Sequence, residues 1–425
     1  MSARCRLDGT LMRSDIIVCG AGIVGVCTAL HLQDRGRKVV LLDRRQPGQE
    51  TSFGNAGIIE RTSIGPYGFP RDFSRLLTYL GNRSSAVRYD PRALPWLLPW
   101  LWRYWRESSP DKLAQAAADL LPLISSCVTE HVALSRRAGT EALLRGNGWI
   151  EAFVDPKQFA REAAAAENFA RTHALRCHVL AGAELESAVR GVRGGFAGAL
   201  RWPDVYSTVD PGALVASYGQ LFVAGGGQLM TGDARSLQPD ATGWRVLTSQ
   251  GTVEARDAVI ALGPWSAEFM RRLGYRWPLG IKRGYHMHYA PVAGQELALP
   301  VLDATAGYVL APMRAGLRLT TGVEFAAATA RPCYVQLQRA EVAARQRFHL
   351  GERLDALPWL GMRPCTADMR PLIGRAPRRP GLWCCFGHNH HGLTLGPGSG
   401  RLLAELICGM PTSVDARPFD PSRFG

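Results

Sequence analysis

Asp15-Ile16-Ile17-Val18-Cys19 runs directly into Gly20-Ala21-Gly22-Ile23-Val24-Gly25, and Val26, Ala29 and Leu30 then recur at helical spacing. The pattern is strand, glycine turn, helix. Gly36 ends the helix, and Val39 to Leu42 form a second apolar strand that finishes on Asp43, 18 residues after Gly25. Each glycine has a separate job: Gly20 permits the tight turn, Gly22 lets backbone approach a pyrophosphate, and Gly25 lets helix pack on strand. The helix start at Ile23 points free N–H groups at the phosphates. Asp43, with Arg44 beside it, is placed to accept hydrogen bonds from a ribose. A dinucleotide site is expected, and NAD and FAD share this fingerprint.

With 425 residues, 46% of them apolar, the chain can bury one large or two medium cores without disulfide or metal staples. Its ten cysteines are scattered without a CxxC pair, so neither a zinc spacing nor a secreted disulfide framework is legible. A reducing, cytoplasmic setting fits that usage. Met1 to Ser14 carries Arg4, Arg6 and Arg13 but no apolar stretch of signal-peptide length; Met12 is an alternative start, and residues 1–13 are expected to be disordered. No run approaches the roughly 18 consecutive apolar residues of a membrane span. The formal charge of +14 comes from arginine, since lysine occurs only at Lys38, Lys112, Lys157 and Lys282. The arginines are spread along the chain with no nucleic-acid motif, so nucleic acid is not an expected partner.

Four further segments follow in order. Thr51-Ser52-Phe53-Gly54-Asn55-Ala56-Gly57-Ile58 is a small, polar loop suited to close backbone approach. Asp257 to Leu262 reads as a strand, containing Ala261 and ending at Gly263-Pro264-Trp265. Gly361-Met362-Arg363-Pro364 comes next, and the chain closes with Gly387-His388-Asn389-His390-His391-Gly392-Leu393-Thr394 and a further glycine-rich run to Gly400. In this order the segments resemble the D-amino acid oxidase superfamily of flavoproteins, and the Thr51 loop with the Trp-rich stretch Leu94 to Trp105 looks most like the bacterial D-amino acid dehydrogenase branch. Two departures stand out. Asp43 replaces the Glu common in the family, and His390 stands where glycine oxidase has an Arg, which argues against glycine as substrate.

The resemblance implies FAD as cofactor and an α/β plus α+β architecture: a Rossmann-like, glutathione-reductase-like FAD-binding domain with an inserted mixed-sheet substrate domain. The FAD-binding domain would be discontinuous over 14–65, 207–278 and 360–425, and the substrate domain would take 66–206 and 279–359. Residues Thr51, Ser52, Asn55, Ala56, Gly57, Ile58, Ala261, Gly263 and His388 are then expected beside the cofactor, with Ala234 beside the adenine. Independently, Asp210-Pro211 reads as N-cap and first residue of a helix through Val223, stopped by Gly225-Gly226-Gly227. Ala114 to Ala118 and Ala160 to Ala166 read as helices, and Gly284 to Tyr289 and Leu317 to Thr321 as strands. Alternation sets Tyr285, Met287 and Tyr289 on one face and His286 and His288 on the other, and either face could cover the flavin. Leu94 to Trp105 is either a buried helix or an interfacial patch of aromatic and cationic groups.

By the same resemblance Arg363 is the substrate-carboxylate anchor, a role its planar fork suits, with Arg283 and His390 next in line. Gly392, Leu393 and Thr394 would present N–H groups to the flavin pyrimidine, and a helix from Arg401 to Cys408 would aim its positive end there. Three histidines on a Gly loop without carboxylate or thiolate partners make a poor metal site, so no metal is expected. His390 is assigned to the substrate pocket, with Tyr285 as a further catalytic candidate. The expected reaction is oxidative deamination of a small, D-configured amino acid or proline derivative by hydride transfer from Cα to flavin N5. Electrons would pass to a quinone or redox protein rather than dioxygen, with peripheral contact at the inner face of a membrane. A peroxide-forming oxidase and a flavin subunit of a heteromeric dehydrogenase are the alternatives.

Overall fold

The computed structural model describes residues 11–62, 64–189 and 191–425. Two sheets organise them. In the first, the strands Gln228–Thr231, Val39–Asp43, Leu11–Cys19, Gly251–Ile260 and Leu382–Phe386 lie parallel in that order, as expected of apolar strands that are buried on both faces. The antiparallel strands Gly243–Thr248, Gln238–Asp240 and Leu372–Arg375 extend it. On one face pack the helices Ile23–Gln33, Pro211–Ala224 and Gly392–Ile407 around Val18, Leu30, Leu41 and Phe222. Asp210 does cap its helix, accepting from Ala213 N at 2.9 Å.

The first strand begins at Leu11 and not after residue 13, because Leu11 to Ser14 pair in register with Thr252 to Ala255 of the long neighbouring strand. Of the expected disordered stretch, 11–13 is therefore strand, and residues 1–10 lie outside the described residues. The strand read over Asp257 to Leu262 is longer and ends earlier, at Gly251–Ile260.

Ten strands make the second sheet, in the order Val87–Tyr89, Val323–Phe325, Leu279–Tyr289, Gly316–Thr320, Tyr308–Met313, Val301–Asp303, Trp149–Phe153, Gly198–Trp202 and His178–Leu180, with Trp359–Thr366 paired on Leu279–Tyr289. Trp359–Thr366 thus takes the residues on either side of the boundary drawn at 360 into this second sheet. The 28-residue helix Pro110–Arg137, which falls in the segment assigned to the substrate domain, packs instead on the first layer: Leu120, Leu123, Ile124 and Cys127 join the core of the helices Ile23–Gln33 and Gly392–Ile407. It is long and apolar enough to cross a membrane. Its apolar side is used for that packing, and Asp119 and Glu130 along it pair with Arg370 and Arg401 at 2.5 and 2.9 Å.

Candidate active site

One cavity of about 1180 Å³ is lined from both sheets. That exceeds the roughly 300–1,000 Å³ of an ordinary small-molecule pocket and leaves room for a dinucleotide together with a substrate. Every residue expected at the cofactor or substrate lines it except Gly25, Gly57 and the reserve anchor Arg283.

The glycine fingerprint divides by cause. A Cβ on Gly20 (φ +113°) would lie 2.4 Å from Ala261 O, and one on Gly25 would lie 1.8 Å from Gly20 O, so both are demanded by the protein itself. A Cβ on Gly22 would meet only Ser52 Oγ, at an ordinary 3.4 Å. The protein leaves space at Gly22, and the bareness serves whatever lies in the cavity. Ser52 Oγ accepts from Ile23 N at 3.1 Å and ties the Thr51 loop to the helix start. Asp43 ends its strand at the cavity wall, accepting from Ala21 N at 2.6 Å and Arg45 N at 3.0 Å. Arg44 pairs with Glu50 at 2.9 Å and stacks over Trp265. Asn55 Oδ1 accepts from Gly57 N at 2.8 Å, and Gly57 (φ +79°) lies against Thr208 O, which explains why it shapes the loop without lining the cavity.

That loop is held from behind by the second sheet. Arg318 Nη1 donates to Phe53 O at 2.8 Å and to Asn55 O at 2.6 Å, while its Nε donates to His288 Nε2 at 2.9 Å. His288 is therefore protonated at Nδ1, which donates to Asp355 at 2.8 Å. Both histidines of the Tyr285–Tyr289 alternation thus face the back of the loop, His286 stacking on Trp359 with ring centroids 4.9 Å apart. The tyrosine and methionine face goes into the core of the second sheet. His286, His288 and Asp355 have a metal-like spacing, but the Arg318 guanidinium is already hydrogen-bonded into that group.

The C-terminal helix starts at Gly392, nine residues before the expected Arg401, so that Gly392, Leu393 and Thr394 form its first turn. Their N–H groups have no intrahelical acceptors and, with the helix dipole, give the cavity a positive wall. Thr394 Oγ1 lies 3.3 Å from Glu60 N and 3.4 Å from Ile58 O, which fixes the turn against the Thr51 loop. Burial holds all three histidines neutral: His388, bonded to Ser399 Oγ at 3.0 Å, is pushed down to about 3, His391 to about 4, and His390 well below its usual value.

From the second sheet, Arg363 lines the cavity and donates to Gly322 O at 2.9 Å and Thr321 O at 3.3 Å. Among the described residues no carboxylate pairs with it, and burial lowers its pKa. A buried cation without a counter-ion is costly unless a ligand supplies one. Lys282, opposite Arg363 in the strand register, is a second cation at the wall and donates to Tyr104 Oη at 2.9 Å. His390 lines the same cavity, its ring 4.7 Å from that of Tyr67, and the charges of Arg363 and Lys282 act on it.

Two expected roles do not survive the geometry. Tyr285 borders the cavity, but its hydroxyl donates to Glu324 at 2.6 Å and accepts from Arg283 at 3.0 Å and Cys333 N at 2.9 Å, so it is occupied in the core. Arg283 is fully buried, paired with Glu324 at 3.1 Å and donating to the carbonyls of Ala327, Ala330 and Arg331, which removes it as a reserve carboxylate anchor. Lys282, Tyr67 and Glu151 line the cavity without having been expected there. The rarity of lysine was the one available signal for Lys282.

The stretch Leu94–Glu107 is a helix of two characters. Trp100 and Tyr104 are buried, and Leu94, Leu101 and Tyr104 reach the cavity, whereas Trp96, Leu98 and Trp102 are 85%, 58% and 55% exposed. Neither a wholly buried helix nor a wholly interfacial patch describes it.

Comparison with known proteins follows the same lines. The family described as FAD dependent oxidoreductase (DAO) matches residues 15–406. A D-amino-acid oxidase of Bradyrhizobium diazoefficiens is 30% identical over 96% of this chain and 98% of its own. A D-amino acid dehydrogenase of Paramagnetospirillum magneticum is 31% identical over the same shares. Among solved structures, glycine oxidase from Geobacillus kaustophilus aligns with a TM-score of 0.72 at 22% identity, over 96% of this chain and 98% of that one, which shows a shared fold.

Proposed function

The chain belongs to the DAO family of FAD-dependent oxidoreductases acting on CH–NH2 groups, and from that premise we propose that it oxidatively deaminates a D-configured amino acid or proline derivative. Arg363 carries the proposal: a carboxylate-seeking fork in the cavity, without a carboxylate partner among the described residues. In this reading the first sheet and the Thr51 loop hold FAD, and the second sheet holds the substrate.

FAD, when bound, would supply the oxidising power, with N5 as the acceptor for the hydride of the substrate Cα. The chain's own residues bind and orient. Arg363 takes the carboxylate bidentately, and the neutral His390 accepts a hydrogen bond from the amine without repelling it. The positive first turn at Gly392 to Thr394 favours the charge that reduction places on the cofactor. The imine is hydrolysed to a keto acid and ammonia, or stays cyclic if the substrate is a proline.

A quinone or redox protein is the proposed acceptor, at the inner face of a membrane in the cytoplasm. The exposed indoles of Trp96 and Trp102, with Arg103 and Arg106 between and beside them, support a peripheral contact with an anionic bilayer, on the helix whose other side reaches the cavity. The described cysteines are all free thiols, in keeping with a reducing compartment. Direct oxidation by dioxygen is the second reading, favoured by the name of the Bradyrhizobium relative. Anaerobic mixing of the yellow holoenzyme with D-amino acids should bleach the flavin and yield keto acid. Absence of bleaching by every amino acid and proline derivative would remove the reading, and reoxidation in air as fast as with a quinone would favour the oxidase.

A further inference from the structure

Across the second sheet runs a row of register partners: Thr320, Val309, Leu302, Glu151, Leu200 and Val179. One of them is ionisable. Glu151 lies mid-row on the strand Trp149–Phe153, where Trp149, Glu151 and Phe153 line the cavity and Ile150 and Ala152 sit in the core behind. The charged groups that act on its carboxyl are two further carboxylates, Glu60 and Glu162, both also at the cavity wall, and the buried indole N–H of Trp202 makes no hydrogen bond. Burial, with those acids, pushes Glu151 up to about 8. An acid set in an apolar row, without a counter-ion among the described residues, is unfavourable in the empty fold and is relieved by a donor brought in by a ligand.

The cavity is polarised. Lys282 and Arg363 lie on the adjacent strands Leu279–Tyr289 and Trp359–Thr366, and Glu151 lies on Trp149–Phe153, with Gly316–Thr320, Tyr308–Met313 and Val301–Asp303 between them. The two cations and the acid therefore line the cavity from separate parts of the sheet. A molecule with a carboxylate at one end and a cation at the other matches that arrangement.

We propose that Glu151 recognises the substrate side chain, and that the site takes amino acids whose side chain ends in an ammonium or guanidinium group. The proposal rests on the reading that Arg363 holds the substrate carboxylate. Glu60 and Glu162 add to the negative potential, and the apolar neighbours Leu302 and Val309 accommodate the methylenes.

The test uses the holoenzyme and a pair of ligands that lack an α-amine and cannot be oxidised. 6-Aminohexanoate and hexanoate are titrated against the flavin absorption spectrum. The amino compound should bind roughly tenfold tighter or more, as expected of a charge-assisted contact, and Glu151→Gln should bring the two affinities together. In turnover, kcat/KM for D-lysine, D-ornithine or D-arginine should exceed that for D-norleucine, with the ratio collapsing towards one in Glu151→Gln. Equal or tighter binding of hexanoate by the unaltered enzyme overturns the proposal without any variant, as does a cation preference that survives Glu151→Gln. Oxidation of D-norleucine but not D-lysine sinks this inference alone, whereas failure of every amino acid to bleach the flavin sinks the functional reading beneath it.

Discussion

His131 Nε2 donates to the carbonyl oxygen of Leu393 at 2.8 Å, from one helix to the first turn of another. That carbonyl needs an outside donor, because the residue four positions on is Pro397, which has no N–H. His131 is completely buried and burial pushes it down to about 4, so it stays neutral while its Nδ1 faces Tyr218 Oη at 3.3 Å. If Leu393 presents its N–H to FAD as proposed, His131 is a positioning residue that would act on the cofactor through Leu393.

His131→Phe should therefore fill the space and remove the donor. An orphaned buried carbonyl costs about 1–3 kcal/mol, so the melting temperature should fall, and FAD should be lost more readily on dilution or gel filtration. His131→Gln, which can still donate, should recover part of both. Unchanged FAD retention in His131→Phe would show that Leu393 is held without it.

Gly22 and Gly25 should separate cofactor binding from folding. Gly22→Ala meets no protein atom closer than 3.4 Å and should leave circular dichroism and apoprotein melting intact while FAD binding drops sharply. Gly25→Ala drives a methyl into Gly20 O and should destabilise the apoprotein itself. If Gly22→Ala binds FAD normally, the space beside Ser52 is not where the pyrophosphate lies.

Arg363→Met should keep the flavin spectrum and the melting temperature but weaken substrate binding, seen in anaerobic flavin reduction, by roughly one to two factors of ten from the lost charge-assisted contact. Misorientation of Cα should slow the reduction further. Arg363→Lys should recover part, since the ammonium keeps the charge without the fork. Loss of FAD or unfolding with substrate affinity retained would instead assign Arg363 to the fold through Thr321 and Gly322.

The pH dependence of stability should report on Glu151 directly. Its folded pKa, pushed up to about 8, lies above its ordinary value of 4.5, so the folded chain holds a proton that the unfolded chain releases. Its contribution therefore grows more unfavourable as pH rises from about 4.5 to about 8 and is constant above that. Glu151→Gln should match the parent's melting temperature near pH 4 and exceed it increasingly up to pH 8. A constant difference across that range would mean the carboxyl is not desolvated in solution.

What could be read from sequence was local. The turn from Cys19 to Gly25 is a contiguous pattern of strand, glycine and helix periods, and it folds as it reads. Gly392 to Gly400 misleads because a run of Gly with Pro397 has poor helix propensity. It is helical because its glycines let it approach a neighbour closely: a Cβ on Gly396 would lie 2.8 Å from Ile23, and one on Gly400 would lie 2.6 Å from Thr28 N. His131, Lys282 and Glu151 gain their meaning from partners hundreds of residues away or across a sheet, and nothing in their flanking sequence marks them. Arg363 and Arg283 are alike as residues. The difference is that Glu324 neutralises Arg283 and no described carboxylate reaches Arg363.

The strand Leu11–Cys19 lies between Val39–Asp43 and Gly251–Ile260, and Gly251–Ile260 pairs in turn with Leu382–Phe386. During synthesis from the N-terminus, one edge of that first strand has no partner until some 240 residues more have been made, and the sheet is not closed until nearly the whole chain has left the ribosome. An apolar strand edge open for that long invites pairing with other nascent chains. Yield in the cell is then governed by how well the unfinished chain is shielded, and a chain stopped between residues 50 and 250 should collect in insoluble material however stable the finished protein is.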